Sequence, residues 1–208
     1  MNQPIICFEG PSGIGKTTMC ELLSSKYNTV PEVNSLFKRT DKEPRLWYYE
    51  RQLDRYRLCE KSNKKSILDG DIFQPIWYNW VCNYPSNFAS KKETHKFYKT
   101  KLSEGEIAFP DLYIIFYCDE KQLHIRKEKD KTRKRRNFEK HLKIIEPLKE
   151  YYRFLQKETD LEMEFVEYDN IEMVEKKILS YINNSYKLKI EPLKTFQQIE
   201  NWINSKKK

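Results

Sequence analysis

The sequence predicts an α/β domain of three layers, a five-stranded parallel sheet with helices on both faces. Three observations carry that prediction. Short apolar runs of strand length recur along the chain, stretches of helical periodicity separate them, and three of the five glycines (Gly10, Gly13 and Gly15) sit at the first junction between the two. Strands that alternate with helices close into a parallel sheet covered on both sides.

Taken in order, Ile5-Ile6-Cys7-Phe8 is a buried strand that runs into the glycine cluster. A helix from about Lys16 to Tyr27 turns Met19, Leu22 and Leu23 inward. Thr29 to Val33 reads as a short second strand, residues 35–43 as loop, and Pro44 as the first turn of a helix whose Leu46, Tyr49, Leu53 and Tyr56 recur at spacings of three and four. Ser66 to Asp69 is a third strand, Pro75 opens an aromatic helix to Val81, and a polar helix covers 90–103. Leu112 to Cys118 is the fourth strand. After it come a basic segment and a long helix with Ile145, Leu148, Tyr152 and Leu155 on one face, expected to kink at Pro147. Glu164 to Tyr168 is the fifth strand, Ile171 to Ile182 its helix, and Pro192 opens a last helix with Leu193, Phe196, Ile199 and Ile203 on one side.

Composition narrows the function classes. With 208 residues, 38% hydrophobic and 14% aromatic, the chain can bury a core without staples and is not a disordered chain. Its longest uncharged apolar run, Leu112 to Cys118, is too short to span a bilayer. The opening Met1-Asn2-Gln3-Pro4 carries no secretory pattern. Five cysteines without a Cys-x-x-Cys pair point to reduced thiols and a cytoplasmic setting, and three scattered histidines offer no metal-ligand spacing. The net charge of +8 is local: Lys121 to Lys143 holds eleven Lys or Arg against three acids, a surplus of eight. That concentration suits a mobile basic lid over a phosphorylated ligand. It also suits a nucleic-acid footprint.

The motif with the most specific chemistry is Gly10-Pro11-Ser12-Gly13-Ile14-Gly15-Lys16-Thr17, which fits G-x-x-x-x-G-K-[ST] between an apolar strand and a helix. Glycines let successive N–H groups turn inward to make an anion nest, and the helix N-terminus adds partial positive charge. Lys16 is expected to reach the β- and γ-phosphates and the Thr17 hydroxyl to ligate Mg²⁺. Asp69, at the end of the third strand, is the expected second metal ligand. Asp119 competes for that role, but Asp119-Glu120-Lys121-Gln122 has capping-box-like spacing and reads as a helix cap.

Phe8-Glu9-Gly10, the loop, and Lys16-Thr17-Thr18 resemble the start of the thymidylate kinases and the related deoxynucleoside kinases. The resemblance continues in order through most of the chain. Pro31-Glu32-Val33 is similar to the acidic motif after their second strand, Ile67-Leu68-Asp69 to their acid-ended strand, and Pro110-Asp111-Leu112-Tyr113 to the start of their fourth strand. Arg126 with Arg133, Arg135, Arg136 and Glu139 resembles their lid. The resemblance implies the three-layer P-loop kinase fold, with residues 1–184 as the core, a lid at about 121–143, and 185–208 as a helical extension docked on it. It also implies ATP and Mg²⁺ as cofactors, with Gly10 through Thr18 and Arg126 around the nucleotide.

A kinase acting on a hydroxyl needs a carboxylate to accept its proton. By resemblance Glu32 takes that role, and Asp71 is the alternative. Arg133, Arg135 and Arg136 would pair with the transferred phosphoryl group. The acceptor pocket is expected between the helix at 45–60 and the aromatic segment at 73–80, with Trp47, Arg51, Gln52, Arg55, Phe73, Trp77 and Tyr78 around a planar ring. One departure stands out. Gly70 occupies the place where the resembled families carry arginine, so Arg39, Arg51 or Arg55 would have to hold a phosphorylated acceptor. The residues leave open a nucleoside, a nucleoside monophosphate, or an antibiotic or other small alcohol as acceptor. A nucleic-acid-stimulated ATPase is the rival class, disfavoured by a chain short for a motor. The expected partners are therefore a small nucleoside-like acceptor and a second copy of the chain, with neither membrane nor nucleic acid.

Overall fold

A computed structural model describes residues 3–40, 42–81, 89–129 and 138–206. Strands β1 (Ile5–Glu9), β2 (Asn28–Val30), β3 (Ser66–Asp69), β4 (Leu112–Tyr117) and β5 (Met163–Glu167) form one sheet in the order β2-β3-β1-β4-β5. Every pairing in it is parallel. The five-stranded α/β architecture matches the expectation from the sequence.

Side chains alternate across a strand, and β1 shows how this builds two cores. Ile5 and Cys7 pack on one side of the sheet. There they meet α3 (Trp47–Glu60), α4 (Gln74–Val81), α5 (Lys91–Ser103), most of α8 (Ile145–Glu158) and α10 (Pro192–Ser205). Ile6 and Phe8 face the other way, toward α1 (Lys16–Leu23), α6 (Glu120–Lys129), α7 (Phe138–Leu142) and α9 (Ile171–Asn184). Both faces are covered, which is why the central strands read as unbroken apolar runs. The α10 residues Phe196, Ile199 and Ile203 belong to the first of these cores, so this helix is docked on the rest of the chain.

Register levels the strand ends that matter. Phe8 lies opposite Asp69 on β3 and Ile114 on β4, while Val30 lies opposite Leu68. The segments leaving β1, β2 and β3 therefore start side by side on one edge.

Local departures from the sequence reading have physical causes. The second strand stops at Val30, and Pro31 leads instead into a one-turn helix, α2 (Val33–Leu36), with Glu32 at its N-cap position. Pro147 makes no kink. The helix starts at Ile145, so the proline occupies the first turn, where an N–H has no intrahelical partner to lose. Between β4 and β5 the described residues form α6, α7 and α8. Asp119 caps α6, with Oδ1 accepting from the Gln122 N–H at 2.7 Å, as its spacing predicts.

Candidate active site

The loop after β1 needs glycine for two reasons at once. Gly10 has φ +147°, and a Cβ there would stand 2.5 Å from the Phe116 carbonyl oxygen on β4. Gly15 has φ +114°, and its Cβ would stand 2.8 Å from the Tyr168 ring. The chain thus turns tightly between two neighbours and delivers its backbone to the strand edge. No side chain caps the N-terminus of α1, which begins at Lys16 directly behind Gly15. Pro11, Ser12, Gly13, Thr17 and Thr18 line the cleft above it. Ile14 does not. Its side chain is buried in the core beneath the loop, and only its backbone serves the site.

Lys16 lies folded over its own loop. Its Nζ donates to the Gly10 carbonyl at 2.8 Å and the Pro11 carbonyl at 3.4 Å, with Glu9 Oε1 at 4.0 Å. Thr17 Oγ1 donates to Asp69 Oδ2 at 2.7 Å. The other oxygen, Asp69 Oδ1, is buried with no hydrogen-bond partner among the described residues, and a buried acceptor in that state calls for a ligand. A hydroxyl beside a half-satisfied carboxylate is a hard-oxygen donor set that fits Mg²⁺, which binds one or two protein oxygens and takes others from phosphates and water.

Three more carboxylates gather at the same edge. Glu9 is buried at the end of β1, and sequence reading missed it as a site residue. Its Oε1 accepts from the Gly10 N–H at 2.8 Å and its Oε2 from the Asp71 N–H at 3.0 Å. Burial pushes its carboxyl above the ordinary value, against the lowering by Lys16 and those two N–H groups. The one available signal was its position, an acid closing an otherwise apolar strand.

Asp71 is also buried. Tyr152 donates to its Oδ2 at 2.9 Å, and its Oδ1 accepts from the Phe73 N–H at 2.9 Å and from Tyr113 at 3.4 Å. Burial raises this carboxyl to about 7. Glu32 differs from both. It is half-buried on the cleft wall, beside Gly70, where a Cβ would lie 3.7 Å from its Cγ. No hydrogen bond or ion pair engages its carboxylate among the described residues.

The acceptor-side residues divide. Trp47, Gln52, Trp77 and Tyr78 line the cleft, joined by Tyr48, whose hydroxyl donates to Gln74 Oε1 at 3.2 Å. Phe73 does not line it: the ring stacks on Phe109 at 4.2 Å within the core. Arg51 also lies outside, paired with Asp54 at 2.9 Å and over the Phe37 ring. Arg55 borders the cleft, but its guanidinium is committed to the scaffold. It donates to the carbonyls of Pro31 (2.8 Å), Asp69 (2.7 Å) and Gly70 (3.0 Å) and to Gln52 Oε1 (2.7 Å). Arg39 meets Glu43 through two nitrogens and lies over the Trp47 ring.

At the far end, Arg126 donates to the carbonyls of Ile14 and Tyr168 and lies 4.6 Å over the Tyr168 ring. It braces the glycine loop against the segment Tyr168-Asp169-Asn170, which lines the cleft and which sequence reading did not single out. Arg133, Arg135 and Arg136 lie outside the described residues, as does the middle of the expected lid. Phosphate loop, acid cluster and aromatic wall open into one cleft of about 1630 Å³.

With this geometry in hand, solved structures supply the comparison. A deoxyadenosine kinase from M. mycoides with dCMP and dCDP bound superposes with a TM-score of 0.56 at 17% identity, over 86% of this chain and 98% of that one. The fold is that of the nucleoside and nucleotide kinases. A thymidylate kinase from Candida albicans gives 0.57 at 17% identity over 91% and 97% of the two chains, and the M. mycoides kinase with dATP bound gives 0.55 at 18% over 88% and 100%. No protein-family model and no curated protein sequence matches the chain. At this identity the likeness is one of backbone layout. No helix among the described residues is long and apolar enough to cross a membrane.

Proposed function

We propose that the protein is an ATP-dependent kinase that transfers the γ-phosphoryl group to a hydroxyl of a nucleoside or nucleoside-like small molecule. The observation that carries this reading is the Glu32 carboxylate, which no hydrogen bond or ion pair engages among the described residues. It shares one continuous cleft with Lys16, Thr17 and Asp69, so a base and a phosphate cradle face the same space.

The chemistry follows from the residues. Lys16 exchanges its loop carbonyls for the β- and γ-phosphate oxygens. Thr17 and Asp69 would hold Mg²⁺, which supplies neutralisation of phosphate charge. Glu32 accepts the acceptor's hydroxyl proton as that oxygen bonds the γ-phosphorus, and the bond from phosphorus to the β,γ-bridging oxygen breaks to release ADP. The aromatic wall, with Trp47, Tyr48 and Tyr78 backed by the buried Trp77, holds a planar ring against the site, and Gln74, whose Oε1 is taken by Tyr48, offers its NH₂. Arg126 and the 168–170 segment enclose the opposite end, where the ATP base is placed.

A hydroxyl is favoured over a phosphate as acceptor because the cations offered for a monophosphate are engaged. Arg55 binds backbone carbonyls, Arg39 binds Glu43, and Arg51 pairs with Asp54 outside the cleft. A bound monophosphate would also face Glu32 and Asp69. The buried, unbridged thiols of Cys7, Cys20, Cys59 and Cys118 accord with a reducing cytoplasm.

The test is a transfer assay with labelled ATP over nucleosides, nucleoside monophosphates and hydroxylated antibiotics, with Lys16→Ala as control. Phosphorylation of a nucleoside that Lys16→Ala loses supports the reading. A monophosphate as sole acceptor, or hydrolysis that only nucleic acid stimulates, overturns it.

A further inference from the structure

Glu9 is a buried carboxylate whose contacts the proposed reaction does not use. It stands at the end of β1, between the two halves of the cleft. One carboxylate oxygen takes the Gly10 N–H, which opens the phosphate loop, and the other takes the Asp71 N–H, which lies two residues past Asp69 and three before α4. The Lys16 ammonium is 4.0 Å away. The loop that would hold the nucleotide and the turn that leads to the acceptor wall are thus both fastened to the same three atoms.

We propose that Glu9 is a positioning residue for phosphoryl transfer: its carboxylate sets the spacing between the nucleotide side and the acceptor side of the cleft by holding one backbone N–H from each. This rests on the kinase reading above.

The requirement is for a carboxylate in particular. Both partners are N–H donors, so both ends of the side chain must accept. Charge-assisted bonds of this kind are short and about twice as strong as neutral ones. Glutamine fills the same volume but presents an NH₂ at one end, so it meets one of the two N–H groups donor to donor. Transfer between two bound substrates depends on their separation, and a misplacement of about 1 Å can cost roughly 10²-fold in rate. Attack by water needs no such registration, because water finds its own place. Loss of Glu9 should therefore separate two reactions that share one phosphate loop.

The experiment measures three quantities in the full-length protein: the Kd of a fluorescent ATP analogue, acceptor-free ATP hydrolysis, and kcat and KM for transfer to the nucleoside that the wild type phosphorylates. For Glu9→Gln we expect analogue affinity and hydrolysis within about threefold of wild type, an unchanged acceptor KM, and a transfer kcat lower by roughly 10- to 100-fold. In ¹⁵N–¹H spectra the Gly10 or Asp71 amide proton should move upfield as its bond to a carboxylate is lost. A proportionate fall of hydrolysis and transfer would mean that Glu9 merely supports the fold, and unchanged transfer would mean that it does nothing; either overturns the proposal. If Glu9→Gln does not fold, Glu9→Asp enters the same assay. It keeps the charge and both acceptors but withdraws them by one methylene, and a transfer-to-hydrolysis ratio equal to wild type overturns the proposal. If the wild type itself phosphorylates no hydroxyl, the kinase reading fails first, and the role proposed for Glu9 falls with it. Failure in the variants alone leaves that reading standing.

Discussion

Thr17 and Asp69, fifty-two positions apart in sequence, meet through a 2.7 Å hydrogen bond that satisfies one carboxylate oxygen and leaves the other buried without a partner among the described residues. One carboxylate oxygen is thus oriented and the other left for the cation that the proposed function assigns to it. We expect Asp69→Asn to weaken Mg²⁺ support of nucleotide binding by about 10- to 100-fold, the scale at which perturbed metal sites lose affinity or activity. A Mg²⁺ titration of analogue binding checks it. A variant with the wild-type midpoint would remove Asp69 from the metal site.

Glu32 and Asp71 make opposite predictions. Glu32 has no partner among the described residues, whereas Asp71 is held by Tyr152, Tyr113 and the Phe73 N–H. Glu32→Gln keeps size and polarity but loses basicity, so kcat should fall about 10²- to 10⁴-fold while nucleotide affinity stays near wild type. Asp71→Asn should cost stability more than turnover. Steady-state kinetics beside urea denaturation separates the two, and the reverse pattern would transfer the base assignment to Asp71.

Gly10→Ala should damage the fold rather than the chemistry alone. The new methyl would meet the Phe116 carbonyl oxygen at 2.5 Å on a backbone with φ +147°, and strain in such a region costs on the order of 1–3 kcal/mol before any clash is counted. The urea midpoint of Gly10→Ala should fall by a matching amount. A variant as stable as wild type would show that the loop can leave β4.

His95 gives the docking of α10 a pH dependence. It is buried on α5, 3.2 Å from Glu200 on α10, with Lys99 on the same Glu200 and Phe196 against its ring. Burial lowers its pKa more than Glu200 raises it, and Lys91 lowers it further. The unfolded chain therefore binds a proton that the native state refuses, and stability rises with pH in this range. This contribution is complete above the ordinary histidine value of about 6.5 and is lost as pH falls through the depressed native value. Melting temperature measured from pH 5 to 8 should drop on the acid side, and His95→Gln should flatten that slope. An unchanged slope would assign it to other groups.

The fold was legible because its signals are local. β1 and β4 are largely apolar runs bounded by turn residues, and the glycine-rich motif between β1 and α1 is contiguous in sequence. The residues that border the cleft were legible where the signal is also local, at the glycine-rich turn and at the acids that end strands. They were illegible where tertiary packing decides a side chain's direction. Phe73 and Trp77 lie on one aromatic stretch and are buried in one core, yet Phe73 stacks on Phe109 away from the cleft while Trp77 also borders it. Arg51 and Arg55 lie one turn apart, yet one pairs with Asp54 and the other is consumed by carbonyls. Glu9 was overlooked because one of its two backbone partners, the Asp71 N–H, lies sixty-two residues away.

The way Arg55 is held has a consequence for how this site can change over time. Among its acceptors at the ends of β2 and β3 are the backbone oxygens of Pro31, Asp69 and Gly70, and every amino acid carries that oxygen. No single replacement of a neighbouring side chain can strip those partners away, so the wall beside Glu32 tolerates exchange of the residues that face a ligand while the fastening beneath them persists. Ligand preference on this side can drift through many sequences on an unaltered frame, which suits a chain that keeps this fold at 17–18% identity to solved structures that share it.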